Sequence, residues 1–216
     1  FVKDNPAKGI ESPKERKQRR LPDDTVMVNL IRFAKQQGQL KSGQPGACSP
    51  YLWYVMEIGY LCRLRGIETI TLTDENELAE GVLTNRRKGS RDNIVRWSTR
   101  LRAAWDAAKS VRTETWERKR VPVPIRADQR FLIISATGRQ LSKSGLDTAF
   151  QRLIVQAIDK GILTEEQRFG MHDFKRKGIT DTAGSRADKQ QASGHKDEAM
   201  MDVYDLSLPL VDPSGG

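Results

Sequence analysis

Near its C-terminal end the chain reads Gly194-His195-Lys196-Asp197-Glu198-Ala199-Met200-Met201-Asp202-Val203-Tyr204, which sets one of its two histidines nine positions ahead of a tyrosine. A tyrosine hydroxyl titrates at about pH 10 and is a weak nucleophile on its own. Covalent chemistry at Tyr204 therefore needs neighbours that take its proton and stabilise charge on the group it attacks. Taken alone, the stretch reads first as a buried glycine-histidine turn with a half-buried aromatic behind it, because single His and Tyr residues are usually structural. The other chemistry-bearing residues decide. His172 is the second histidine, inside Phe169-Gly170-Met171-His172-Asp173-Phe174-Lys175-Arg176, and Lys175 follows it one helical turn on, on the same face. Arg65 stands three residues before Glu68, a spacing that puts both on one helical face and lets the carboxylate hold the guanidinium. Most such pairs are surface ion pairs worth little. Lys88 sits among Arg86, Arg87 and Arg91 at a charged turn that either discourages edge pairing or carries a mobile cation into a groove.

Composition narrows the partner. A net charge of +9 over 216 residues, 30% of them charged, makes a polyanion the leading idea, with a merely basic surface as the alternative. Cys48 and Cys62 match no zinc spacing and are too few for a disulfide framework, which points to a reducing compartment. No acidic metal cluster, cofactor motif, signal peptide or apolar run of membrane-spanning length stands out. The chain opens at Phe1 rather than at methionine, so an upstream segment is expected.

The elements that must position these residues follow in order. Residues 1 to 20 contain three helix-breaking Pro or Gly positions and the run Lys14-Glu15-Arg16-Lys17-Gln18-Arg19-Arg20, a basic linker that can lie along phosphates. Asp23 or Asp24 caps a helix carrying Val26, Leu30, Ile31 and Ala34, which ends near Gly38. A second helix starts at Ser49-Pro50 with Leu52, Val55, Met56 and Gly59 in register. Residues 81–87 and 92–97 form a hairpin turning at Gly89-Ser90, and Phe131 to Ile134 is a further short strand. Ser98 or Thr99 caps a helix with Leu101, Ala104, Trp105, Ala108 and Val111. Leu146, Ala149, Phe150, Leu153, Ile154, Ala157 and Ile158 repeat at three- and four-residue intervals until Gly161. That stripe is core. The fold class is α+β, mainly α-helical with a small antiparallel sheet.

The ordered set resembles the catalytic domain of the tyrosine recombinase (phage integrase) family. That family's pattern is an arginine with a glutamate three on, a hairpin lysine, a His-x-x-Arg box, then Gly-His and a tyrosine nine positions after that histidine. Arg65 with Glu68, Lys88, His172 with Lys175, and Gly194-His195 with Tyr204 occupy those places here. The likeness runs from about Asn5 to Asp212. It implies a linker over residues 1–20, left from an N-terminal core-binding domain, and a catalytic domain over residues 21–216.

Roles follow from the resemblance. Tyr204 attacks a DNA phosphodiester and leaves a 3′-phosphotyrosyl enzyme; Lys88 is the general acid; Arg65, Lys175 and His195 clamp the phosphate; His172 assists proton transfer at Tyr204. No metal or cofactor is implied by the resemblance, and because one phosphoester replaces another no ATP is needed. The partners implied are double-stranded DNA at attachment or recombination sites and further copies of the protein, up to a tetramer on paired sites, in bacterial cytoplasm and without a membrane. Two related readings share the parts: a type IB topoisomerase, which reseals the same strand, and a DNA-binding module of this fold that no longer cleaves. The departure from the pattern is Lys175, a point charge where the family has the bidentate fork of arginine. Arg176 is adjacent but lies about 100° round the helix.

Overall fold

The structure is a computed structural model that describes residues 21–87 and 90–206. Eight helices and one two-stranded sheet are assigned among the described residues: α1 (Asp24–Gln37), α2 (Tyr51–Leu61), α3 (Gly66–Thr69), β1 (Gly81–Leu83), β2 (Ile94–Arg96), α4 (Thr99–Lys119), α5 (Lys143–Asp159), α6 (Met171–Thr180), α7 (Arg186–Ser193) and α8 (Met201–Tyr204), with short 3-10 turns between them. None of these helices is long and apolar enough to cross a membrane.

The fold is built round α2. Its sequence is apolar on every side, and eight of its eleven residues are buried, as expected of a helix at the centre of a core. It packs against α1, α4, α5 and α6. The single charged residue on α2, Glu57, is buried and meets Arg100 of α4 at 2.6 Å. Against α6 the approach is as close as backbones allow. A Cβ added at Gly178 would come within 2.2 Å of the Tyr60 carbonyl oxygen, so only glycine fits there.

Local signals set most boundaries. Asp23 stands extended before α1, Ser98 Oγ accepts from the Leu101 amide at the start of α4, and Gly161 turns the chain after α5 with φ +68°. The predicted α5 stripe is buried at Leu146, Phe150, Leu153, Ile154 and Ala157. Phe150 and Phe169 both meet Phe174 of α6, with ring centroids 6.1 and 5.4 Å away. That cluster fixes α6, and a buried phenylalanine is typically worth about 3–5 kcal/mol against alanine.

The sheet is smaller than the sequence suggests. β1 and β2 pair antiparallel with Val82 opposite Val95, but the ladder stops at Leu83 and Ile94 instead of running over 81–87 and 92–97. The cause is Arg86. Its guanidinium turns inward to backbone carbonyls, and its amide donates to Asp92 Oδ1 at 2.6 Å, which takes the backbone off the ladder. Residues 131–134 form no third strand. Phe131 and Ile134 make single bridges to different partners, Thr73 and Gln140, because residues 66–72 stay in helical turns and offer no extended edge. The predicted turn residue Gly89, the linker 1–20 and the tail from residue 207 lie outside the described residues.

Candidate active site

Four elements deliver the site. Arg65 is the residue before α3, and Glu68 lies within that helix; His172 and Lys175 come from α6; His195 follows α7; Tyr204 ends α8. The sequence spacing of Arg65 and Glu68 suggests two residues on one helical face. Instead Arg65 has an extended backbone, φ −69° and ψ 154°, and Glu68 folds back on it as a cap. Glu68 Oε2 accepts from the Arg65 amide at 2.7 Å, and Oε1 accepts from Arg65 Nη1 at 2.8 Å and from the Arg87 amide at 3.0 Å. The third bond ties the turn end of the hairpin to the same carboxylate.

Arg65 has a second arm. Its Nη2 donates to Tyr204 Oη at 3.0 Å. The Tyr204 ring is covered on its other sides by His195, 4.4 Å between ring centroids, by His172 at 5.5 Å, and by Lys175 Nζ at 5.7 Å from the centroid. Of the six residues singled out from the sequence, four therefore meet at a fifth, Tyr204. The sixth, Lys88, lies outside the described residues; its neighbour Arg87 reaches Glu68 through its amide.

The C-terminal segment is latched into this position. Ile179, Met201 and Tyr204 form a small apolar cluster. Lys189 Nζ donates to the Thr180 carbonyl at 3.0 Å and pairs with Asp205 at 3.1 Å, while Thr180 Oγ1 accepts from the Leu206 amide at 3.1 Å. Those contacts flank Tyr204 on the chain and hold its ring, which is 5% exposed.

Electrostatics divides the cations into two kinds. Arg65 is half-buried with both arms bonded. Lys175 is fully buried, its Nζ 3.6 Å from Glu68 Oε2 and without a hydrogen-bond partner among the described residues. Burial pushes its ammonium down to about 7, against the opposing pull of Glu68. Burial also works to raise Glu68, but Lys175 and the amides of Arg65 and Arg87 outweigh it and hold the carboxyl below its usual range. The carboxylate thus stays ionised, and Lys175 is the member of the pair whose charge changes near neutrality. Burial, followed by the nearby Lys175, Arg65 and Arg86 charges, pushes the His195 imidazole down to about 4.

A stability consequence follows. A lysine whose folded value lies below its unfolded one binds fewer protons folded than unfolded, so stability should rise with pH between about 7 and about 10.5. Lys175→Met removes that contribution and should flatten this limb. Urea unfolding at three pH values across the window measures it; an unchanged slope in the variant would show that Lys175 is not the group responsible.

Two residues were missed from the sequence. Arg86, one of several cations round the hairpin tip, is buried, and burial pushes its guanidinium down to about 10. It donates to the carbonyls of Arg63 at 2.8 Å, Cys62 at 3.1 Å and Ala192 at 3.0 Å, joining the end of α2, the hairpin and α7. Nothing in its sequence context separates it from Arg87 or Arg91. The second is Ser193, buried two positions before His195, with Oγ 2.8 Å from His195 Nδ1. A small polar residue closing a helix ahead of a glycine and a histidine was its only signal. Gly194 between them is required: it has φ +74°, and a Cβ there would meet the Arg91 carbonyl oxygen at 2.2 Å.

No family model matches the chain. Over 205 residues it is 29% identical to the tyrosine recombinase XerC of Alcanivorax borkumensis, covering 94% of this chain and 61% of that protein. The crystal structure of the XerA recombinase superposes with a TM-score of 0.65 at 15% identity, covering 88% of this chain and 61% of that one. The Tn1549 transposon integrase in complex with circular intermediate DNA gives 0.66 at 14% identity, over 92% of this chain and 64% of that one. A lambda integrase dimer bound to a COC′ core site gives 0.62 at 14% identity, over 89% and 50%. The chain spans less than two thirds of the length of each of these relatives. The fold is that of the tyrosine recombinase catalytic domain, and along nearly the whole chain the sequence is similar to that of a tyrosine recombinase.

Proposed function

We propose that residues 21–216 are the catalytic domain of a site-specific DNA recombinase that cleaves and rejoins strands through a 3′-phosphotyrosyl intermediate. The observation that carries this reading is the convergence of Arg65, His172, Lys175 and His195 on Tyr204, with Arg65 bonded to the hydroxyl itself. Metal-free phosphodiester cleavage needs a nucleophile, a proton donor for the leaving oxygen, and cations round the non-bridging oxygens of the transition state. In the proposed step Tyr204 Oη gives up its proton with the help of His172 and bonds to phosphorus as the bond to the 5′ oxygen breaks, and that oxygen takes a proton from Lys88. The 5′-hydroxyl of a partner strand reverses the step, and the tyrosine regains its proton.

The partners proposed are double-stranded DNA and further copies of the protein, up to four on paired sites, in the cytoplasm. The charge of +9 supports the first. Residues 1–20 are proposed as the basic linker to a core-binding domain. Incubation of the full-length protein with nicked suicide DNA carrying a candidate attachment site tests the reading. A covalent protein–DNA adduct is expected; DNA binding without any adduct would leave only a binding module of this fold.

A further inference from the structure

The protonation state in which His195 waits is written in the hydrogen bonds behind it. α7 ends at Ser193, Gly194 turns the chain in the left-handed region, and His195 re-enters the interior. The last turn of α7 tightens there. The Gly194 amide donates to the Gln191 carbonyl at 3.2 Å, one residue short of the α-helical acceptor, which would be Gln190. Ser193 Oγ donates to that Gln190 carbonyl instead, at 2.9 Å. A hydroxyl has one proton and two lone pairs, so with the proton committed to a carbonyl, which can only accept, Oγ turns a lone pair to His195 Nδ1 at 2.8 Å. The remaining neighbour, Met201 Sδ at 3.8 Å, is too weak an acceptor to redirect the proton. Nδ1 must then carry a hydrogen. On the other side of the ring, Nε2 is buried and has no hydrogen-bond partner among the described residues.

We infer that Ser193 is a positioning residue that locks neutral His195 in the Nδ1–H tautomer, leaving Nε2 a bare proton acceptor beside Tyr204. The ring orientation is fixed by the same bond together with the contact to the Tyr204 ring, 4.4 Å between centroids. Around the imidazole stand Arg65 from the start of α3, Lys175 from α6, Arg86 from the hairpin and the carboxylate of Glu68. Three cations against one carboxylate favour the neutral ring, and this agrees with its depressed titration.

The consequence rests on the recombinase reading. A phosphodiester is an anion without a proton, so a bare Nε2 cannot clamp its oxygen; lone pair would meet lone pair. His195 becomes a phosphate donor only once Nε2 has taken up a proton, and Ser193 keeps Nδ1 occupied so that the proton can enter only at Nε2. The histidine expected from the sequence to be a standing clamp is, before DNA arrives, an acceptor.

Two histidines in the chain make the test clean. With histidine labelled in both ring nitrogens by 15N, two-bond proton–nitrogen correlation spectra of the DNA-free chain at pH 7 report each tautomer directly, and His172→Asn assigns the remaining pattern to His195. The expected result is a protonated, pyrrole-type Nδ1 and an unprotonated Nε2 in the parent chain. Ser193→Ala, with no lone pair to offer, should lose that preference, giving a mixture or the Nε2–H form, and Ser193→Thr should restore it. An Nε2–H tautomer in the parent chain would overturn the inference, as would the parent pattern persisting in Ser193→Ala, since a serine that only caps α7 would not move it. If the alanine variant does not fold, Ser193→Cys, nearly isosteric and a much poorer acceptor, gives the same contrast. No DNA is present, so failure of this inference is distinct from failure of the recombinase reading, which the adduct assay decides.

Discussion

Tyr204→Phe should bind DNA as the parent does and form no covalent adduct. The substitution keeps the ring that packs against His195, His172, Ile179 and Met201, and it deletes one hydroxyl. The lost contact is the hydrogen bond from Arg65 Nη2 at 3.0 Å, and bonds to charged groups are worth about 1.5–3 kcal/mol, so the fold survives. Loss of adduct should be complete, because no other tyrosine can substitute. The chain has four. Tyr51 and Tyr54 are buried in α2, and burial pushes the Tyr54 hydroxyl well above its usual range. Tyr60 donates to Asp181 at 2.8 Å, and its hydroxyl is pushed up to about 12 by burial and by that bond. Adduct formation on nicked suicide DNA, read on a denaturing gel beside a native binding gel, checks both halves. Undiminished adduct in the variant would move the nucleophile to another residue.

The candidate site residues that the fold gathers round Tyr204 could be picked out from the sequence because their order and spacing are themselves the signal. The α5 stripe and the apolar run of α2 could be read because burial of one face, or of every face, leaves a periodicity. What stayed hidden was decided by side chains crossing between elements. Arg86 looks like any surface cation until the carbonyls of Cys62, Arg63 and Ala192 are brought round it, and turning it inward is what shortens the hairpin. Lys175 sits on a face that the sequence marks as polar, yet α6 packs between α2 and α8 and the ammonium is sealed beneath Tyr204. Neither burial has a local cause. Glu68 was read as a partner of Arg65, but its wider task, holding the Arg65 and Arg87 amides as well, depends on the chain entering α3 in an extended conformation, which a spacing of three residues does not disclose.

Arg65→Lys should lower the cleavage rate by about 10²–10³, the usual range for one preorganised donor, while DNA binding changes little. The charge is retained, so the loss isolates geometry. In the parent chain the guanidinium divides its work, Nη1 to Glu68 at 2.8 Å and Nη2 to Tyr204 Oη at 3.0 Å. A lysine has one nitrogen on a flexible stem and cannot keep a carboxylate on one arm while offering a second, fixed arm to the tyrosine or to the phosphate oxygen that replaces it. Glu68 would draw that single ammonium to itself. The fold should tolerate the change, because Glu68 keeps the backbone amides of residues 65 and 87, at 2.7 and 3.0 Å, together with Lys175. Thermal unfolding beside single-turnover cleavage therefore separates the two effects: a rate that falls while the melting temperature holds assigns the loss to the fork. An unchanged rate in Arg65→Lys would mean that a point charge suffices at this position. In that case Lys175, itself a point charge in the box where an arginine was expected, would be no handicap, and the catalytic weight placed on the Arg65 fork would have to move to the hairpin.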